Sequence, residues 1–203
     1  MRLVKLVSGS YFFRMSQDIL RILDLSERLG NLAESRLKAA VSRHGLQAVH
    51  ARIVLYLAHA NRYSNTPMAV ADYLGLTKGT VSQSLILLEN KGLLARTADA
   101  HDGRVVRLVL TEAGRSLARA VEDESVARLA EAARGLPEGL LDALTDVLRR
   151  LQWAEGRRSF GQCRTCRHHL AEAPGRWRCG LTGEALTVED GECICREHEA
   201  AEL

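Results

Sequence analysis

The chain has 203 residues, 28 Lys and Arg against 25 Asp and Glu, 46% apolar and 4% aromatic content, and five cysteines that all fall between Cys163 and Cys195. That length holds one compact domain with an appendage or two small domains. No stretch reaches the roughly 18 apolar residues of a membrane span, and MRLVKLVSGS lacks the apolar run of a signal peptide, so a soluble, cytoplasmic protein without a membrane partner is expected. Residues 1–156 hold 21 basic and 17 acidic side chains while residues 157–203 hold 7 and 8, which places any anion-binding surface in the cysteine-free part.

From Tyr11 to about His44, Phe12, Met15, Ile19, Ile22, Leu23, Leu29, Leu32, Leu37 and Val41 recur at helical spacing and predict one long amphipathic helix. A second helix fits Ala48 to His59, followed by a polar loop from Asn61 to Thr66. Pro67 suits the first turn of a short helix ending at Leu74, where a proline forfeits no helical hydrogen bond. Gly75 stops it, and Thr77 is placed to cap a fourth helix that runs to Gly92. The period then changes. Leu93, Leu94 and Ala95 lead to a polar tip at Asp99 to Gly103, and Val105 to Leu110 form a β-branched run, which reads as a hairpin. Thr111 and Glu112 open a helix carrying Leu117, Ala120, Val121, Val126 and Leu129. A last helix, expected from Pro137 to about Trp153, lines up Leu140, Leu141, Leu144, Val147, Leu148 and Leu151.

Two short helices joined through Gly75 fit a helix-turn-helix. In the second of them Val81, Leu85 and Leu88 form one stripe. Lys78, Gly79, Ser82 and Gln83 lie opposite it, Thr80 flanks that side, and the positive end of the helix dipole favours phosphate there. A hairpin with one basic tip residue can place a guanidinium in a narrow minor groove. Arg104 is placed for that, and Asp102 can hold it by a carboxylate pair. An ordinary surface helix and a surface ion pair are the plain alternatives.

These residues resemble the MarR family of winged helix-turn-helix transcription regulators. The resemblance is carried by Leu74-Gly-Leu-Thr77, Thr80-Val-Ser82, Lys91-Gly-Leu93, Asp102-x-Arg104 and Leu110-Thr-x-x-Gly114, and the order of elements extends it over about residues 11–155. It implies that Thr77, Lys78, Thr80, Ser82 and Gln83 face the major groove of double-stranded DNA. Arg104, oriented by Asp102, would enter the minor groove. It further implies a homodimer on a pseudo-palindromic operator, interlocked through the first and last helices, and a crevice for a small-molecule effector. Where the family often has a second arginine, this chain has Gly103, which removes one wing contact. The expected fold is mainly α with a small β-wing. Residues 1–45 and 115–156 form the helical dimerisation region, residues 46–114 the winged helix-turn-helix domain, and residues 157–203 an irregular metal-stapled tail.

Within that tail, Cys163-x-x-Cys166 has the spacing of a metal knuckle, and Cys179-Gly180 fits half of another. Four thiolates around one centre suit zinc or an iron–sulfur cluster, with one cysteine left over. Phe160, Leu170, Trp177, Leu181, Leu186, Val188 and Ile194 are too few to hold the segment by burial, so it needs a staple. The alternatives are a purely structural zinc tail, a thiol switch through Cys193 and Cys195, and a redox enzyme using Cys163 and Cys166. The enzyme reading lacks the surrounding βαβ pattern, and no catalytic motif occurs elsewhere, so no enzyme is expected. The tail also resembles C-terminal extensions on some members of the same family. That likeness implies Cys163, Cys166, Cys179 and Cys195 as ligands, with Cys193 as a spare and His168, His169 and His198 as weaker candidates. The expected function is a dimeric transcriptional repressor. Its operator binding would be modulated by the cysteine-bound centre, by an effector, or by both, and its DNA-binding body would be complete without the tail.

Overall fold

A computed structural model describes residues 7–100, 102–130 and 134–200, with the side chains of 7–16, 128 and 129 left aside. The expected stripe positions Phe12, Met15 and Leu129 therefore lie outside the described side chains, as does His101 at the wing tip. The chain divides into a unit of residues 1–48 and a unit of residues 49–203.

The first unit is essentially one helix, α1 (Val7–Ser42). Ile19, Ile22, Leu23, Leu29 and Leu32 are all about half exposed or more along it, an apolar face left uncovered among the described residues of that unit. In the second unit come α2 (Ala48–His59), α3 (Pro67–Leu74), α4 (Lys78–Asn90), β1 (Leu94–Ala98), β2 (Val106–Leu110), α5 (Glu112–Ala130) and α6 (Leu140–Ala154). The caps form where the sequence puts them. Thr66 accepts from the Ala69 amide ahead of Pro67, and Gly75 ends α3 at φ 64°, a left-handed conformation that costs glycine little.

The strands β1 and β2 pair antiparallel from Leu94↔Leu110 to Ala98↔Val106. The core beneath them is Ile53, Val54, Val70, Val81, Leu85, Leu88, Leu94, Leu108, Leu117 and Val121, all buried, and each such side chain favours folding by roughly 1.5–3 kcal/mol. The Leu110-Thr-x-x-Gly114 motif has a steric reason. Thr111 donates its hydroxyl to the Gly92 carbonyl, and a Cβ on Gly114 would sit 2.0 Å from the Leu93 carbonyl oxygen.

On α5, Leu117 and Val121 are buried while Val126 is 65% exposed. The last helix begins at Leu140, not Pro137, because Gly139 adopts a left-handed backbone at φ 79° and breaks the helical run. The apolar stripe of α6 stays uncovered in the single chain: none of its residues is buried, and Leu141, Leu144, Leu148, Leu151 and Trp153 are all more than half exposed.

The tail, expected as irregular, is built from short regular pieces. They are β3 (Gly161–Gln162), β4 (His169–Ala173), β5 (Arg176–Cys179), β6 (Ala185–Leu186), α7 (Val188–Glu192) and β7 (Ile194–Cys195). The strands β4, β5 and β6 form an antiparallel meander, and β3 pairs with β7. Nor does it hang free of the winged part. Phe160 lies edge-on to Tyr56 and Tyr73 with ring centroids 6.3 and 5.2 Å away, and its backbone takes a left-handed φ of 41° to do so. The body expected to be complete without the tail thus draws a core residue from it.

Candidate nucleic-acid interface

The helix α4 sorts its side chains as its sequence requires. Val81, Ser84, Leu85 and Leu88 are buried, while Lys78, Gly79, Thr80, Ser82 and Gln83 are exposed. Thr77 caps the helix by accepting from the Thr80 amide at 3.2 Å, and its hydroxyl also meets that of Thr80 at 2.9 Å. Both threonine hydroxyls are therefore engaged at the helix start, which leaves Lys78, Ser82 and Gln83 as the outward polar side chains with no cap to form. A shallow cavity of about 170 Å³ beside them is lined by Pro67, Met68, Lys78, Val81, Ser82, Leu85 and Arg96. Arg96 escaped the sequence reading because it sits on a strand, away from the helical pattern; its guanidinium pairs with Glu89 at 3.2 Å.

The wing tip brings Asp102 and Arg104 together. Two parallel bonds of 2.9 Å run from the guanidinium to the two carboxylate oxygens, and the Arg104 amide donates to the same carboxylate at 3.0 Å. These bonds hold the Asp102 carboxyl below its ordinary range. Arg104 keeps 91% of its side chain in solvent, so the pair fixes the direction of the guanidinium while leaving its outer edge open. The base of the wing is tied down by Arg107, a residue the sequence did not single out. Its Nε lies 2.6 Å from Asp99, and its Nη1 donates to the Tyr63 carbonyl at 3.1 Å and to Asn65 at 3.3 Å.

The five thiols are free. Burial pushes Cys163 up to about 11, and its neighbours Cys195, Cys166 and Cys179 add to the rise. Burial also acts to raise Cys179, but hydrogen bonds from the Thr182 side chain and amide and from the Leu181 amide bring it below its ordinary value. Cys195 is raised by burial against hydrogen bonds from the Asn61 side chain and the Glu197 amide, with Cys166 and Cys179 again adding to the rise. The Glu199 amide points at the Cys166 sulfur at 3.4 Å. Burial, Asp190 and Glu192 raise Cys193, with Arg62 acting against them, and the Cys163 amide donates to the Cys193 carbonyl at 3.0 Å.

Thiols are the donors that a thiophilic metal or an iron–sulfur cluster takes, but among the described residues no three His, Cys, Asp or Glu side chains converge closely enough to hold one ion, so their arrangement here does not fit such a group. Of the weaker candidates, His169 lies 3.6 Å from the Cys163 sulfur. His198 is buried with Nε2 on the Thr165 hydroxyl at 2.9 Å, and His168 pairs with Glu199 at 3.5 Å.

Residues 44–105 match the model of the MarR family. No curated protein sequence matches the chain. Among solved structures it is similar to CouR from Rhodococcus jostii RHA1, solved with p-coumaroyl-CoA, at 23% identity and a TM-score of 0.55, covering 64% of this chain and 90% of that one. It is also similar to a MarR-family regulator from Listeria monocytogenes solved with a 26mer DNA, at 19% identity and a TM-score of 0.55, covering 66% and 87%. A third is the S. aureus MepR–DNA complex, at 22% identity and a TM-score of 0.51, covering 72% and 98%. The likeness to these structures is one of fold, the winged helix-turn-helix, and no helix among the described residues is long and apolar enough to cross a membrane.

Proposed function

We propose that this protein is a transcription regulator of the MarR family, a repressor, that binds a pseudo-palindromic site in double-stranded DNA as a homodimer. The observation that carries the reading is the pairing of two presenting surfaces. Lys78, Ser82 and Gln83 face solvent on a helix anchored by Val81, Leu85 and Leu88, and one exposed guanidinium, Arg104, is aimed from the neighbouring wing. Short polar side chains on a firmly seated helix suit the major groove, and an oriented arginine suits the minor groove. A dimer is supported by the uncovered apolar faces of α1 and α6, since closed two-fold pairing is the commonest way to bury such faces. It would also supply the second reading head that a pseudo-palindrome requires.

Operator binding is modulated by a centre held by Cys163, Cys166, Cys179 and Cys195, by a small-molecule effector, or by both. Zinc there would supply a staple, and an iron–sulfur cluster a redox-responsive one. Metal analysis and an absorption spectrum of anaerobically purified protein decide between them. Selection from a random duplex pool tests the main reading: a two-fold symmetric site is expected. Arg104→Gln should weaken binding to it and lower the salt slope by about 1. Equal affinity for all duplexes, with Arg104→Gln indistinguishable from the wild type, would overturn it.

A further inference from the structure

The match to the MarR family ends at residue 105, yet the loop of residues 60–66 inside it is braced by the far end of the chain. This loop joins the two presenting surfaces. Asn61 organises it, its Oδ1 accepting from the amides of Tyr63 and Ser64 at 3.1 and 2.9 Å. Thr66 caps α3 by accepting from the Ala69 amide at 3.2 Å, and Pro67 and Met68 at the start of α3 line the same hollow as Lys78 and Ser82 of α4. Toward the wing, the Asn65 carbonyl accepts from the Leu108 amide of β2 at 2.7 Å, while the Tyr63 carbonyl and the Asn65 side chain accept from Arg107. A shift of the loop would therefore move α3 and the wing relative to each other.

Arg196 ties that loop to α3 through two groups at once. Its amide donates to the Ser64 hydroxyl at 2.8 Å, and its Nε and Nη2 both donate to one carboxylate oxygen of Asp72, at 3.1 and 2.7 Å. Ser64 is fully buried, and its carbonyl accepts the Tyr56 hydroxyl at 2.8 Å, so the loop is pinned where water cannot replace a lost partner. The ion pair is half-withdrawn from solvent, with 24% of the Arg196 and 34% of the Asp72 side chain exposed. The neighbours on either side are engaged as well. Tyr73, next to Asp72, packs against Phe160, and the Ile194 carbonyl, two residues before Arg196, accepts from the Asn61 amide at 2.9 Å.

We propose that Arg196 is a positioning residue for operator binding: by fastening Ser64 to Asp72 it fixes the loop that sets the wing against the helix-turn-helix, without touching DNA itself. The inference rests on the DNA-binding reading put forward above. A loop held before DNA arrives need not be ordered on binding, and the saving appears as affinity. The reading head then extends beyond the part of the chain that the family match covers, to a residue some ninety positions further on.

The test uses the full chain and three variants, Arg196→Gln, Asp72→Ala and the two together, on the duplex that the wild type selects and on a scrambled duplex. Each variant should bind the selected duplex about three- to tenfold more weakly, and the double variant no more weakly than either single one, because the two side chains act as one unit. Amide exchange without DNA should quicken at Leu108 and Ala69 while the urea midpoint of the winged part stays near that of the wild type, a local loosening that a general loss of stability does not produce. Charge alone predicts a different pattern. Losing the Asp72 carboxylate would by itself favour DNA, and an Arg196 that contacted a phosphate would lower the salt slope by about 1 when replaced. Tighter binding by Asp72→Ala, or a lowered slope in Arg196→Gln, would overturn positioning in favour of a direct electrostatic role. Unchanged affinity in all three variants, with the wild type still preferring its selected duplex, would overturn the proposal and leave the regulator standing. A wild type that prefers no duplex would overturn the DNA-binding reading and this proposal with it.

Discussion

In the winged part, Ile53, Val81, Leu85, Leu88 and Leu108 are each at most 2% exposed and come from helices and strands whose apolar period points them inward. Between residues 157 and 200 the buried side chains are Phe160, Cys163 and His198, and much of what holds the segment is polar: Arg62 with Glu184 and Asp190, Tyr63 with Glu184, and Arg196 with Asp72. One part is stabilised by excluding water from methyl groups. The other relies on pairings that each contribute little at a surface. The contrast teaches where regulation can be built, because a weakly held segment is the one whose ordering a ligand can change.

Four substitutions would break or sharpen that contrast. The largest effect is expected for Leu88→Ala, which should cost the winged part about 2–5 kcal/mol, measured by urea unfolding of the full chain. Its tail counterpart is Phe160→Ala, which removes two aromatic pairs at roughly 0.5–1.5 kcal/mol each. Limited proteolysis should show faster cutting between 155 and 161 in Phe160→Ala, while the unfolding midpoint of the winged part falls by less than in Leu88→Ala. If both variants instead unfold in one common transition with equal losses, the two parts are one cooperative body.

Next in size, Thr77→Ala should lower stability by roughly 1 kcal/mol through loss of the α4 cap, and it should raise amide exchange at Thr80. Unchanged exchange there would mean that the hydroxyl is free to contact DNA instead.

The smallest effect concerns pH at the wing tip. Arg104 holds the Asp102 carboxyl below its ordinary value of 3.8, so the pair's contribution is complete above about that pH and is lost as pH falls through the lower folded value. An NMR titration of the Asp102 carboxyl should show a midpoint below 3.8 in the wild type and a return toward it in Arg104→Gln. Identical midpoints would show that the two groups do not interact in solution.

The winged part was legible because its signals are local. Thr77, Gly75 and Pro67 act on the residues beside them, and Val81, Leu85 and Leu88 repeat at helical spacing, so each could be read from a short window. The start of α6 was misread because Pro137 is a good first-turn residue, whereas the left-handed Gly139 two positions later decides where the helix begins. The choice of Cys163, Cys166, Cys179 and Cys195 over Cys193 came from likeness to other tails, and among the described residues no such group is placed to hold an ion. Nothing in the sequence announced Asn61, Asp72, Arg107 or Arg196. Arg196 and Asp72 lie 124 residues apart, and polar partners at such a distance have no period to betray them.

The pairing of β3 with β7 joins the first and last residues of the thiol-bearing segment, Gly161 opposite Cys195 and Gln162 opposite Ile194. A backbone cut at the exposed turn around Gly175 would therefore leave two pieces still paired at their far ends, Cys163 and Cys166 on one and Cys179, Cys193 and Cys195 on the other. Severing the chain there need not sever the module, and the same adjacency of its ends makes residues 161–195 a segment that could be transplanted into a surface loop of another protein.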